Sequence, residues 1–229
     1  MKIAFVYPPY SKEGRHPHLS QNRQFRYTAS GFIRIYPLIP ASLVTIAQAR
    51  GHACLFLDAI SRRLPREAYE LALGAFAPDL VVLETKTPVM QLCWEETSRI
   101  KHVLPGAKVV LVGDHVSARP AESFARSSCD YVAVGGDYDV AVAALAEHIQ
   151  GSAPLPAGIA SRDAGKDVSP FFEEDLDRLP AVDRELTRWS DYGEAYLMKP
   201  AMYVLSGRGC GRNGRSHPGC SFCSWQHNL

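Results

Sequence analysis

Short apolar runs alternate along the first 150 positions with segments whose apolar residues recur every three or four. The first run, 2–7, predicts a strand and ends at Pro8-Pro9-Tyr10. Residues 11–36 show no clean period and hold Gly14, histidines and several arginines, so a long loop is expected. Helical spacing begins near Pro40, where Leu43, Val44, Ile46, Ala47 and Ala49 share one face and Gly51 offers a stop. A strand at 53–57 ends at Asp58. Pro65 then opens a helix carrying Ala68, Leu71, Ala72, Ala75 and Phe76, which Pro78-Asp79 breaks. A strand at 80–83 precedes a helix over 88–104, closed by Pro105-Gly106. A strand at 108–112 leads to Gly113-Asp114-His115 and a helix from Pro120 to about Ser127. The last strand, 131–134, leads to Gly135-Gly136-Asp137 and a helix over 138–150, with Asp137 the expected N-cap.

The five strands are apolar throughout rather than alternating, as strands buried on both faces are. The pattern predicts an α/β fold: a doubly wound, flavodoxin-like, parallel five-stranded sheet in the order 2-1-3-4-5. Right-handed crossovers place every strand-to-helix loop at one edge, where ligands bind in open α/β sheets. The candidate binding residues are therefore Pro8, Pro9 and Tyr10; Thr85, Lys86 and Thr87 after Glu84; Gly113, Asp114 and His115; and Gly135, Gly136 and Asp137.

After this domain (1–150) the character changes. Gly, Ser, Ala and Pro dominate 151–165, and 170–196 is acidic and aromatic, so 151–198 is expected to be a linker. An apolar run at 201–205 predicts one further strand, opening a third region over 199–229.

The chain has 229 residues, with 25 Lys and Arg against 24 Asp and Glu. This balance offers no electrostatic case for nucleic acid or an anionic membrane. No apolar run reaches the roughly 18–20 residues of a membrane helix, and the N-terminus lacks a leader's features, so a cytoplasmic protein is expected. Cys54, Cys93 and Cys129 lie singly in apolar stretches and read as small buried hydrophobes. Cys210, Cys220 and Cys223 crowd together, which points to metal or redox chemistry rather than disulfides.

The loops discriminate among nucleotide folds. No Gly-x-Gly-x-x-Gly follows the first strand, which argues against a dinucleotide, and no Gly-Lys-Ser/Thr phosphate loop exists for a nucleoside triphosphate. Glu84-Thr85 stands where a receiver domain needs a phosphorylatable aspartate, and Pro8-Pro9-Tyr10 where a flavodoxin has a hydroxyl-rich loop.

The Pro8-Pro9 closure, the proline-rich entry to a helix ending at Gly51-His52, Gly113-Asp114-His115, and Gly135-Gly136-Asp137 together resemble the cobalamin-binding domain of B12-dependent radical SAM enzymes. The resemblance spans roughly 1–150. Where that family usually has Gly-Glu-Gly-Glu, this chain has Gly135-Gly136-Asp137-Tyr138. The mutase motif Asp-x-His-x-x-Gly is absent, so the resemblance implies cobalamin with no histidine from that motif on cobalt. Small residues at Gly113, Gly135 and Gly136 would let backbone approach a corrinoid, Thr85 and Thr87 would bond its amides, and His115 would contact its tail or cap the next helix.

Three thiolates can ligate three irons of a [4Fe–4S] cluster and leave one open, as binding of S-adenosylmethionine by radical SAM enzymes requires. The usual signature is Cys-x3-Cys-x2-Cys with an aromatic before the last cysteine. Cys220-Ser221-Phe222-Cys223 matches its second half, and Ser206-Gly207-Arg208-Gly209-Cys210 resembles the approach to its first cysteine. Nine residues lie between Cys210 and Cys220 instead of three. The rival is zinc, held by the same cysteines with His217 or His227. The resemblance thus implies cobalamin, a [4Fe–4S] cluster and S-adenosylmethionine in the front part of a radical SAM enzyme, with methyl transfer one chemistry the family performs. A corrinoid or other small-molecule binding module with a structural zinc tail is the alternative. With one barrel strand expected, either the gene is truncated, a second chain supplies the barrel, or the product is a binding module only; activity of this chain alone is not expected.

Overall fold

The computed structural model describes residues 1–19, 27–29, 33–163, 168–194, 198–205 and 207–208. Five uninterrupted apolar runs become parallel strands: β1 (Lys2–Tyr7), β2 (Ala53–Asp58), β3 (Leu80–Glu84), β4 (Lys108–Val112) and β5 (Tyr131–Ala133). They pair in the expected order 2-1-3-4-5. The register aligns Tyr7 with Asp58 and Glu84 with Val112, so those residues end their strands together at one edge. Ile3 to Val6, Leu80 to Leu83 and Val109 to Val112 are wholly buried, as sheets sandwiched between helices require.

The helices are α1 (Leu38–Ala49), α2 (Arg66–Phe76), α3 (Met90–Val103), α4 (Asp114–Ala118), α5 (Pro120–Arg126) and α6 (Tyr138–Ile149). α1 packs beside α6, and its residues from Ala41 through Ala47 are all buried, which explains why so little of it is polar. The solitary cysteines behave as hydrophobes: Cys93 and Cys129 are fully buried and Cys54 is partly so.

Several expectations need correction. Ile159–Ser161, inside the stretch read as linker, forms a sixth strand, β6, antiparallel to β5. Three residues carry too little pattern to announce a strand; pairing with β5 makes it one. The apolar run at 201–205 forms no strand. Met202, Val204 and Leu205 are exposed, because no sheet edge among the described residues pairs with them. Asp114 and His115, read as loop, open the short α4, whose N-cap is Gly113. Asp137 occupies the N-cap position of α6, but its side chain makes no capping bond. The long loop over 11–36 contains two small antiparallel ladders. His16–Pro17 pairs with Tyr27–Thr28, and Ile33–Arg34 pairs with Gly193–Glu194.

The stretch from 168 onward runs back along the domain. Phe171 N–H donates to Val134 O at 3.3 Å, Glu173 N–H to Asp137 Oδ2 at 2.8 Å, and Asp183 N–H to Thr45 Oγ1 at 3.0 Å. Further on, Tyr36 and Thr187 share a hydroxyl bond, and the Tyr36 and Tyr192 rings meet edge to face at 5.4 Å. Residues 168–194 thereby form a strap from the end of β5, past the start of α6 and across α1, to the end of β2. No helix of the described residues is long and apolar enough to cross a membrane.

Candidate functional site

The edge formed by the strand ends holds two carboxylates, the buried Asp58 and the half-buried Glu84. Glu84, last in β3, accepts the hydroxyl of Tyr7 on one oxygen and that of Tyr138, at 3.2 Å, on the other. Burial raises its pKa, which Lys86 and the two hydroxyls partly offset. Asp58, last in β2, accepts the Tyr192 hydroxyl at 2.8 Å and the Ser61 N–H at 2.7 Å. Burial pushes its carboxyl up to about 6 despite those bonds. The tyrosine hydroxyls are themselves held neutral by burial beside these carboxylates. The center of this edge is therefore a network of neutral donors on acids, suited to orienting a polar ligand rather than to nucleophilic attack.

Around this network stand the residues singled out from the sequence. Thr85 is buried, and its hydroxyl donates to Val112 O at 2.7 Å, so its proton is already committed. Thr87 Oγ1 lies 3.1 Å from His115 Nδ1, joining the β3 and β4 loops. The His115 ring stands edge-on to Trp94 at 6.2 Å. Its Nε2 is buried, makes no hydrogen bond, and lies 3.6 Å from Glu122. Lys86 and Asp114 flank this pair. Pro8 and Pro9 follow β1, and Tyr10 turns back into the core through its N–H to Pro8 O at 2.7 Å.

The glycines serve the chain's own packing. Gly113 and Gly135 both have φ of +110°. A Cβ on Gly113 would lie 2.5 Å from Thr85 O, and one on Gly135 would lie 3.1 Å from both Phe171 O and Pro170 Cβ. The strap, rather than open space, faces Gly135. Gly135 N–H donates to Ser117 Oγ at 3.0 Å. Gly136 lies between it and Asp137, whose carboxylate is taken by Glu173 N–H and by Arg208.

Sequence reasoning missed Asp58 and Tyr192. A cleft beside them is lined by His16, His18, Arg34 and Ser61. A strand ending in a carboxylate at the ligand edge was the available signal for Asp58. Nothing local announces Tyr192, which arrives from 134 positions away.

Cobalamin would need polar partners for its amides and phosphate tail. Thr87, His115 with its unpartnered Nε2, and the Glu84 network supply such groups on one edge, so the donor set fits. Among the described residues no group of three His, Cys, Asp or Glu side chains could hold a metal ion. Cys210, Cys220, Cys223 and Phe222, with His217 and His227 of the zinc alternative, lie outside the described residues.

No protein-family model and no curated protein matches the sequence. Solved structures do. The cobalamin-dependent S-adenosylmethionine radical enzyme OxsB, with aqua-cobalamin and S-adenosylmethionine bound, aligns over 83% of this chain and 25% of its own at TM-score 0.61 and 14% identity. Its apo form aligns over 93% of this chain and 27% of its own at TM-score 0.61 and 15% identity. The radical S-adenosylmethionine methyltransferase TsrM from Kitasatospora setae, with cobalamin and a [4Fe–4S] cluster bound, aligns over 74% of this chain and 30% of its own at TM-score 0.52 and 18% identity. The chain thus spans less than a third of the length of these enzymes, and with them it shares a mostly parallel, doubly wound α/β fold.

Proposed function

We propose that this chain is the cobalamin-binding part of a B12-dependent radical SAM enzyme. The observation that carries the reading is the sheet itself. Its order 2-1-3-4-5 gathers Glu84, Thr87, His115 and the Gly135 loop at one edge. The same fold recurs in solved enzymes that bind cobalamin. In this reading the corrinoid lies at that edge. Thr87 and His115 bond its periphery, and Glu84, held by Tyr7 and Tyr138, orients an amide. Cys210, Cys220 and Cys223 hold a [4Fe–4S] cluster whose open iron takes S-adenosylmethionine. When bound, these cofactors supply radical and methyl-transfer chemistry, while the protein supplies placement and exclusion of water. Turnover belongs to the whole enzyme, whose barrel would enclose the substrate.

Anaerobic reconstitution tests the reading. The full chain, incubated with hydroxocobalamin, iron and sulfide and then desalted, should retain about one corrinoid and about four irons. Serine at Cys210, Cys220 or Cys223 should abolish the iron, and serine at Cys54, Cys93 or Cys129 should not. The Co(II) spectrum should lack histidine hyperfine splitting. Loss of all corrinoid on desalting would reject the assignment of the edge. Stoichiometric zinc with no iron uptake would favor the small-molecule binding module instead.

A further inference from the structure

Arg208 stands two positions before Cys210, yet its side chain is only 12% exposed. Its Nη1 donates to Asp137 Oδ1 at 3.0 Å and to Asp139 Oδ1 at 2.9 Å, and its Nη2 donates to Asp139 Oδ2 at 2.7 Å. Nη2 also lies 3.5 Å from Ser42 Oγ on α1. Asp139 is fully buried in the first turn of α6, and the Asp137 side chain is 5% exposed. Two carboxylates this close and this dry need a cation between them. Burial alone would disfavor the charged guanidinium, but the bonds and charges of Asp139 and Asp137 outweigh it. A planar fork that engages two carboxylates at once fixes orientation as well as distance, which an ammonium does not.

The clasp sits where three parts of the chain meet. Asp137 follows the Gly135 loop at the end of β5, its other oxygen holds the strap at Glu173, and Ser42 belongs to α1. The arginine itself belongs to the approach to the cysteines. Around it, 201–205 makes no strand and three of its apolar side chains are exposed, so sheet pairing does not anchor this approach. The ion pair does.

We propose that Arg208 is the positioning residue that fastens the approach to the cysteines, at 207–208, to the sheet edge, through its buried clasp on Asp137 and Asp139. That this approach leads to a cluster rests on the proposed function; the clasp does not.

Limited chymotrypsin digestion of the full, cofactor-free chain tests the clasp first. Arg208→Gln should speed cleavage after Tyr203 and Leu205 at least tenfold and leave hydrogen exchange of β3 and β4 amides unchanged. Asp139→Asn should do the same. The double variant should add little, because both remove one interaction. Arg208→Lys should fall between, retaining charge without the fork. Arg178→Gln, at an exposed arginine paired only with Asp175, should change nothing. Unaltered cleavage after Tyr203 and Leu205, or accelerated exchange across the sheet, would overturn the proposal. Should Arg208→Gln fail to fold, the Arg208→Lys and Asp139→Asn pair decides. A second readout uses the chain loaded with Co(II) cobalamin and reduced cluster. Magnetic coupling between the two centers should weaken in Arg208→Lys while both remain bound, and unchanged coupling would count against the clasp. If neither cofactor loads, the functional reading fails, and the digestion result still decides the clasp.

Discussion

Tyr192 donates its hydroxyl to Asp58 Oδ2 at 2.8 Å, tying the end of the second strand to a residue 134 positions further along. The bond closes the strap over the sheet edge, and it does so on a carboxyl that burial holds near 6 rather than the ordinary 3.8. Ionized Asp58 therefore opposes folding. Between these values the native state binds more protons than the unfolded chain, so stability falls as pH rises from about 4 through 6. The full loss corresponds to about 3 kcal/mol. Asp58→Asn removes the titration. Its stability relative to wild type should rise between pH 4 and pH 7, as urea denaturation across that range would show. A constant difference would contradict the burial of this carboxyl.

Gly113→Ala should destabilize the fold by about 2–4 kcal/mol. The φ of +110° strains any side chain, and the new Cβ would meet Thr85 O at 2.5 Å, a backbone atom that cannot rotate away. Denaturation midpoints measure this directly.

Gly135→Val should release the strap before it disturbs a ligand. Its side chain would press on Pro170 and Phe171. Accelerated proteolysis within 168–173 is expected even without cobalamin, so loss of corrinoid in that variant would not identify a contact. His115→Gln is the cleaner probe. It should cost about 1 kcal/mol of stability, since the side chain loses its edge contact with Trp94 and its bond to Thr87. It should weaken corrinoid retention about tenfold, equivalent to about 1.4 kcal/mol. Equilibrium dialysis gives the ratio.

Cys93 should resist alkylation in the native chain at pH 8, because burial pushes its thiol up to about 12 and leaves no access for reagent. Cys54, pushed to about 11, should react slowly, and Cys129 should behave like Cys93. Mass spectrometry of peptides after a timed iodoacetamide pulse would establish the order. Rapid labeling of Cys93 would mean that the core opens there.

The five parallel strands and their order were legible because each lies in an apolar run of four or more residues bounded by Pro, Gly or Asp. What was not legible depends on contacts distant in sequence. Ile159–Ser161 is too short to show a period, and only the exposed ladder of β5 makes it a strand. The run at 201–205 has the composition of a strand, but composition cannot supply a partner. At the candidate site, Thr87 and His115 were found because each follows a strand, yet their mutual bond joins the turn after β3 to α4 across 28 positions. Asp137 was read as a cap because aspartate suits that position; Arg208 and Glu173 take its oxygens instead.

β6 also bears on how the molecule avoids its own kind. A sheet margin with unpaired amides invites a strand from another molecule, and margins that are short and charged discourage it. β6 is three residues long. Arg162 follows it directly, and its guanidinium turns back to the carbonyls of Phe124, Ser127 and Cys129 at 2.7–3.3 Å. The parallel β5 ladder is thereby shielded by a stub too brief to template a stack. Among the described strands, the six-residue β2 is then the flank along which intermolecular stacking would start if the chain were partly unfolded.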